Sequence, residues 1–312
     1  MSDLILHHYP MSPFAEKVRL ILGFKQLPWR SVLIPPVLPK PDVVALTGGY
    51  RKTPVLQVGA DIYCDSALIA RLLESRQPTP SLYPAAAPLA PLLAQWADAT
   101  LFQAAVCWAM QPAGVSAILG SLSPEVIKGF AVDRAAMRGS LPRLTLPDGT
   151  VQLKTQLSAL DAQLAQGGPW LLGAVPYIAD FSVGHCLWFI QRSQPVAHVL
   201  DAYPAVATWL DRLLAMGHHS PERMSSTDAI AVAAAAAASN SYAPVAVAGD
   251  HGFEPGQTVS VAATDYGSDL VTGTLVGLSA DEVVIRRQDP RAGTVQVHFP
   301  RFGFQIKKVL AA

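Results

Sequence analysis

The hydrophobic rhythm of the chain changes twice. Up to about Glu74, short apolar runs alternate with helical spacings. DLILHHY reads as a strand that ends in a turn at Pro10. Phe14, Val18, Leu20, Ile21 and Leu22 then fall at helical intervals among Glu16, Lys17 and Arg19. Trp29 to Ile34 reads as a second strand running into the proline-rich loop IPPVLPKP. TPVLQVG and DIYC read as two more strands, and SALIARLLE as a second helix. The order β-α-β, loop, β-β-α implies a sheet with a parallel component, and the short gap at Val58–Asp61 implies a closing hairpin.

From about Leu82 to His219 the strand signal nearly vanishes. Ala90 to Met110 reads as one long helix, with Pro91 in its first turn. Ser123, Pro124 and Glu125 form a helix start, with an N-cap hydroxyl, a first-turn proline and a first-turn acid. Leu153, Leu157, Leu160 and Leu164 keep helical spacing, ADFSVGHCLWFI is apolar enough for a buried helix, and YPAVATWLDRLLAM is amphipathic. Short connections make this a helical bundle. Ser225 and Asp228 then start a short helix on the alanine run, and SNSYAPVAVAGDHG reads as a flexible linker. From Phe253 to Val309 the period becomes two, giving five short strands between turn residues and a small antiparallel barrel. The expected organisation is an α/β domain over 1–80, an all-α bundle over 81–224, a helix and linker over 225–248, and a small barrel-like all-β domain over 249–312.

Composition narrows the function classes. At 312 residues and 51% hydrophobic, the chain has enough material for two or three cores. Lys+Arg and Asp+Glu are 23 each, so the basic excess of a nucleic-acid or anionic-membrane binder is missing. Cys64, Cys107 and Cys186 lie far apart with no C-x-x-C pair, which disfavours a disulfide framework or a cysteine zinc site. The N-terminus lacks a secretory pattern, and the alanine run from Ala229 to Ser239 is too short to span a bilayer. Reduced thiols in a cytoplasmic protein are expected.

Candidate chemistry gathers in the first region. In YPMSPFAEKVRL, Ser12 stands where a turn meets a helix, beside N–H groups that lack partners inside the helix. It either caps its own helix or donates its hydroxyl to an external thiolate, lowering the thiol pKa. In KTPVLQVG, Pro54 precedes an apolar strand. It is either a loop-ending proline or a tight, possible cis turn that leaves the next backbone groups open to an extended peptide. In CDSALIARLLE, Asp65 and Ser66 are two cap-competent residues at one helix start. That leaves a spare polar group suited to a ligand carrying both an ammonium and a carboxylate. Cys64, in an apolar strand, reads as a buried inert thiol. His7 and His8 read as structural rather than as metal ligands.

In this order, the three motifs resemble the thioredoxin-like N-terminal domain of cytosolic glutathione transferases, and the helical region resembles their all-α C-terminal domain. GPWLLGAVPYIADFSV adds the family's turn before a buried helix, with Asp180 in place but Tyr177 where Ser or Thr is usual, so that box is half present. The resemblance covers about residues 1–220. It implies that glutathione lies along the first domain. Pro54 would be the cis-proline and Val55 the backbone partner of the cysteinyl part. Asp65 and Ser66 would hold the γ-glutamyl end, Lys40 or Lys52 the glycine carboxylate, and Phe14 and Thr53 would also line the ligand. Ser12 occupies the position of the nucleophile of Cys-type members, so mixed-disulfide chemistry is disfavoured there. Ser12 is the implied thiolate-stabilising residue and Tyr9 the second hydroxyl.

The activity implied is transfer of the glutathione thiolate to a small apolar electrophile by a homodimer. Trp96, Phe102, Trp108 and Met110 are candidates for the electrophile pocket and equally candidates for plain bundle core. Two alternatives use the same glutathione site: a non-enzymatic sensor or scaffold, and a zeta-like isomerase or dehalogenase. The tail is outside the resemblance. RRQDPR and FPRFGFQIKK interleave aromatic and basic residues as single-strand binders do, but seven acidic residues between Asp250 and Asp289 nearly balance them. A surface for a partner, or one that packs within a dimer, is the expectation there.

Overall fold

The computed structural model describes residues 3–120, 123–249 and 251–309. The first region is built from β1 (Ile5–His8), α1 (Pro13–Phe24), β2 (Trp29–Leu33), α2 (Pro41–Thr47), β3 (Val55–Val58), β4 (Asp61–Cys64) and α3 (Ser66–Arg76). β1 runs parallel to β2 and antiparallel to β3, and β3 and β4 form the expected hairpin. The period of two divides side chains between cores. Leu4, Leu6, Leu56, Val58 and Tyr63 join the core under α1 and α3, whereas Ile5, Val55, Ile62 and Cys64 face the opposite side.

The proline-rich stretch after β2 does not stay a loop up to β3, and this corrects the sequence expectation. α2 starts with Pro41 at its first turn and stops at Gly48, in the left-handed conformation with φ of 79°. Its seven residues are too few to display a helical period, so the pattern did not reveal it. Gly48 has a second role, because a Cβ there would lie 2.2 Å from Nε of Arg287. That guanidinium crosses from the tail to donate to the Ala45 carbonyl at 3.2 Å.

The helical region consists of α4 (Ala90–Trp96), a π-helical turn (Ala97–Leu101), α5 (Phe102–Ala109), α6 (Pro112–Leu119), α7 (Pro124–Arg138), α8 (Leu146–Gly167), α9 (Ile178–Arg192) and, after a 3₁₀ stretch at Gln194–Ala202, α10 (Pro204–Leu214). The long helix expected from Ala90 is thus one run carrying a π insertion. α9 is the central rod, buried from Ile178 to Ile190. Asp180 fastens its start, accepting from the Tyr177 N–H, the Leu171 N–H and Trp209 Nε1. Among the described residues, no single helix is long and apolar enough to cross a membrane.

The tail wraps the first region. β5 (Pro221–Arg223) pairs parallel with β2 at one sheet edge, and α11 (Ser226–Ala238) packs on α2 and β2. Ser225 caps α11, accepting from the Asp228 N–H at 3.1 Å. The strands β6 (Thr258–Ala263), β7 (Val271–Leu278), β8 (Glu282–Asp289), β9 (Gly293–Pro300) and β10 (Phe304–Lys308) form the expected antiparallel set. β9 also pairs parallel with β4, so the ten strands among the described residues form one sheet in the order β10-β6-β7-β8-β9-β4-β3-β1-β2-β5. The segment that reads as a flexible linker is tied to both sides. The Ala243 N–H donates to Asp61 Oδ2 at 2.7 Å, Tyr242 to the Thr294 carbonyl at 3.0 Å, and Ala248 N–H to the Leu278 carbonyl at 2.9 Å. At the junction the buried His298 ring stacks on Tyr63 and bonds Asp61 at 3.0 Å and Glu282 at 3.1 Å.

Candidate functional site

The three motifs meet at one end of the sheet. Ser12 is the N-cap of α1 and is 2% exposed. Its Oγ accepts from the Ala15 N–H at 3.2 Å and donates to the Thr53 carbonyl at 3.5 Å. Capping and a reach across to the next motif therefore coexist, and the second bond is long enough to be exchanged for a better acceptor. The Thr53–Pro54 peptide is cis. Val55 begins β3 opposite His7 on one side and Cys64 on the other. Cys64 is followed by Asp65, so the register carries the site in sequence from Ser12 through Thr53, Pro54 and Val55 to Asp65.

Asp65 has φ of 76°, a left-handed conformation that costs a non-glycine residue energy and clusters at functional positions. Its Oδ1 accepts from the Ala67 N–H at 2.8 Å and caps α3. Burial raises the Asp65 carboxyl above its usual range, against the pull of that N–H and of Lys52 and Lys17. Ser66, the first residue of α3, is buried. An acid and a hydroxyl side by side at a helix start provide one acceptor for an ammonium and donors for a carboxylate.

The two candidate cations differ in their commitments. Lys40 is buried before α2, and its Nζ donates to the Arg51 carbonyl at 3.2 Å and to Thr53 Oγ1 at 3.4 Å. Burial, followed by the charges of Arg134 and Arg51, lowers its pKa to about 8, with Asp133 opposing. Lys52 instead pairs with Asp265 of the tail at 2.8 Å.

Tyr9 and Phe14 face the helical region. The Tyr9 hydroxyl accepts from Arg134 Nη2 of α7 at 3.2 Å, its ring lies 5.9 Å from Lys40 Nζ, and its carbonyl accepts from the Ser12 N–H at 3.1 Å. Phe14 packs edge-on against Phe102 and tilted against His185, each at 4.6 Å. Phe102 is thus the expected pocket aromatic that reaches the first region. Trp96, Trp108 and Met110 pack against the main core, and Trp108 Nε1 donates to the Val196 carbonyl. His7 and His8 are buried. Burial lowers His7 to about 4; burial, then Arg19, lowers His8 to about 3, so both rings are neutral at ordinary pH. Cys64 is fully buried, and burial pushes its thiol upward, as expected for an inert core residue.

Sequence patterns missed a polar knot behind Phe14. Asp98, in the π-helical turn, pairs with Lys17 of α1 and accepts from His185 Nε2 of α9 at 2.9 Å. Burial opposes its ionisation, but Lys17 and His185 hold the carboxyl below its usual range. The available signal was a charged residue inside an otherwise apolar helix. Arg134 was also missed, since nothing in α7 distinguishes it from a solvated surface charge.

Similarity to known proteins agrees with this geometry. The N-terminal domain of glutathione S-transferases matches residues 6–81, and their C-terminal domain matches 131–212. A crystal structure of a GST-like protein from Pseudomonas syringae is 43% identical with a TM-score of 0.80, over 99% of this chain and 100% of its own. Glutathione transferase GSTFuA3 from Phanerochaete chrysosporium has a TM-score of 0.55 at 20% identity, covering 69% of this chain and 98% of its own, and shows the shared fold. A Drosophila melanogaster pyrimidodiazepine synthase is 34% identical over 89 residues, which are 27% of this chain and 36% of that enzyme, so the match spans about a third of the curated relative. With both domains matched and a full-length relative at this identity, the chain belongs to the glutathione S-transferase family.

Proposed function

We propose that this chain binds glutathione along α1, β3 and α3 and transfers its thiolate to a small electrophile. The observation that carries the reading is the Ser12 hydroxyl, held 3.5 Å from the Thr53 carbonyl at the α1 N-terminus, where it can turn to a thiolate. In this reading Ser12 Oγ–H donates to the sulfur, and the charge-assisted bond and the helix dipole favour the thiolate at neutral pH. Val55 meets the cysteinyl backbone beside Pro54. Asp65 and Ser66 take the γ-glutamyl end, and Lys40, with Lys52 as rival, takes the glycine carboxylate. Thr53 and Phe14 border the ligand, and Tyr9 supports Ser12. The thiolate attacks an electrophilic carbon between the two domains, the carbon–sulfur bond forms and the leaving group departs with its electron pair. We further propose a cytoplasmic homodimer.

The test is calorimetric binding of glutathione followed by turnover of an electrophile panel by wild type and Ser12→Ala. Binding by both and a turnover loss of about 10- to 100-fold in the variant is expected for one hydrogen bond to a charged group. Binding without turnover of any electrophile would leave a scaffold in place of a transferase. A second reading, isomerase or dehalogenase chemistry with glutathione as cofactor, uses the same Ser12, Pro54, Asp65 and Ser66 set. Isomerase chemistry would return glutathione unconsumed, which a thiol count after turnover detects.

A further inference from the structure

Of the fifteen described residues of α7, Met137 alone is buried, and Ile127 and Phe130 add half-buried contacts with the helical core. A helix with so little apolar anchorage opens at low cost unless other bonds hold it. Polar bonds to the first domain and the tail do so. Arg134 Nη2 donates to the Tyr9 hydroxyl at 3.2 Å and to the Pro36 carbonyl at 2.9 Å, and Asp133 pairs with Arg51 at 3.3 Å. The loop between β6 and β7 of the tail, residues 264–270, then joins the last turns of α7 to the first domain. The Gly267 N–H donates to the Met137 carbonyl at 2.8 Å, and the Tyr266 hydroxyl donates to the Arg134 carbonyl at 3.4 Å. Asp265 and Asp269 tie the loop to Lys52 and Arg51, each at 2.8 Å. Gly267 is required for this seat. Its φ is +63°, and a Cβ would lie 2.8 Å from Met137 Cε.

Ser12, Lys40 and Ser66, which the proposed ligand has to reach, are buried. The Tyr9 ring stands 5.9 Å from Lys40 Nζ, and the charges of Arg134, Asp133 and Arg51 act on that ammonium. A tripeptide that touches Ser12 and Lys40 together has to displace part of this cover. Residues 139–145, between α7 and α8, form neither helix nor strand, which leaves slack for α7 to swing from Tyr9 while α8 stays in place. We infer that α7 is a lid over the candidate site and that the tail loop 264–270 is its latch, so that the tail sets how fast the thiol ligand enters and leaves. The gating rests on the glutathione reading proposed above. Tyr266 and Gly267 bond to the backbone of α7, not to the groups assigned to the ligand. Loosening them therefore opens the free and the liganded forms alike, and entry and exit quicken by the same factor.

The test uses the full chain, Gly267→Val and, separately, Tyr266→Ala, which removes one latch contact without straining the loop backbone. Hydrogen exchange reads the latch in the absence of ligand. Amides of α7 should lose about 3- to 10-fold of protection in both variants, the effect of one or two polar contacts. Those of β6, β7 and α9 should keep theirs, which shows that the tail and the bundle stay folded. Stopped-flow tryptophan fluorescence reads the gate. Association and dissociation rates of glutathione should both rise about 3- to 10-fold, with Kd within about twofold of wild type, whereas loss of a binding residue raises dissociation alone and weakens Kd. Unchanged α7 exchange in both variants, unchanged rates, or a weakened Kd with unchanged association overturns the inference and leaves glutathione binding standing. No binding of glutathione to wild type overturns the glutathione reading, and the gate with it.

Discussion

At the residue scale, two side chains set the chemistry of the proposed site. Ser12 Oγ accepts from the Ala15 N–H in capping α1 and donates to the Thr53 carbonyl over a long 3.5 Å, so the cap leaves the proton available for the proposed bond to a thiolate. YPMSPF alone could not separate them, because both demand the same residue at the same turn. Lys40 gives a pH signature. Its pKa is lowered to about 8, so a ligand carboxylate that needs the ammonium should bind with constant affinity below that value. Above it, affinity should fall by up to about tenfold per pH unit as the proton is lost. S-methylglutathione has no thiol to titrate, and the difference between wild type and Lys40→Arg, in which the ligand's own ammonium titrates alike, isolates the Lys40 effect in calorimetry. An unchanged profile in that variant would assign the carboxylate to another cation.

At the element scale, helices with strong punctuation were legible and short or interrupted ones were not. Ser123 with Pro124 and Ser225 with Asp228 mark the starts of α7 and α11 as their spacing foretells. α2 and the three exposed residues of β5 carry too little pattern to be seen. The π turn is hidden because its apolar spacing blends with α4 and α5, yet it sets the knot of Asp98, Lys17 and His185 that joins α1 to α9. Asp98→Ala should leave Lys17 buried without its carboxylate and destabilise the protein by about 3 kcal/mol in denaturant titration. Lys17→Met/Asp98→Leu should recover most of that loss, since both charges are gone. Equal destabilisation in the single and double variants would mean that packing, not charge, holds the two domains together there.

At the scale of the whole molecule, the tail is part of the frame around the site. Period two foretold its strands but not their partner, because alternation names a buried face and leaves the neighbouring strand open. The finding that β9 adds to β4 changes the meaning of the tail. Val55, Ile62 and Cys64 share a core with Val283, Ile285 and Val297. The His298 junction should make this union pH-dependent. Burial favours the neutral ring, but the bonds to Asp61 and Glu282 prevail and raise the pKa above 6.5, so the stabilisation is present below 6.5 and is lost as pH rises through the raised value. Protection of the β4 and β9 amides, corrected for base-catalysed intrinsic exchange, should fall over that window in wild type, and His298→Gln should remove this fall. The same frame holds Ser12, Pro54 and Asp65 together, and the central claim is that it holds them for a thiolate. The most direct measurement is the ultraviolet thiolate absorbance of bound glutathione, titrated against pH in wild type and Ser12→Ala. The account predicts a thiol pKa well below that of free glutathione in wild type and a return toward the free value in the variant. Glutathione bound with an unshifted thiol, or a shift that survives the loss of the hydroxyl, would contradict it.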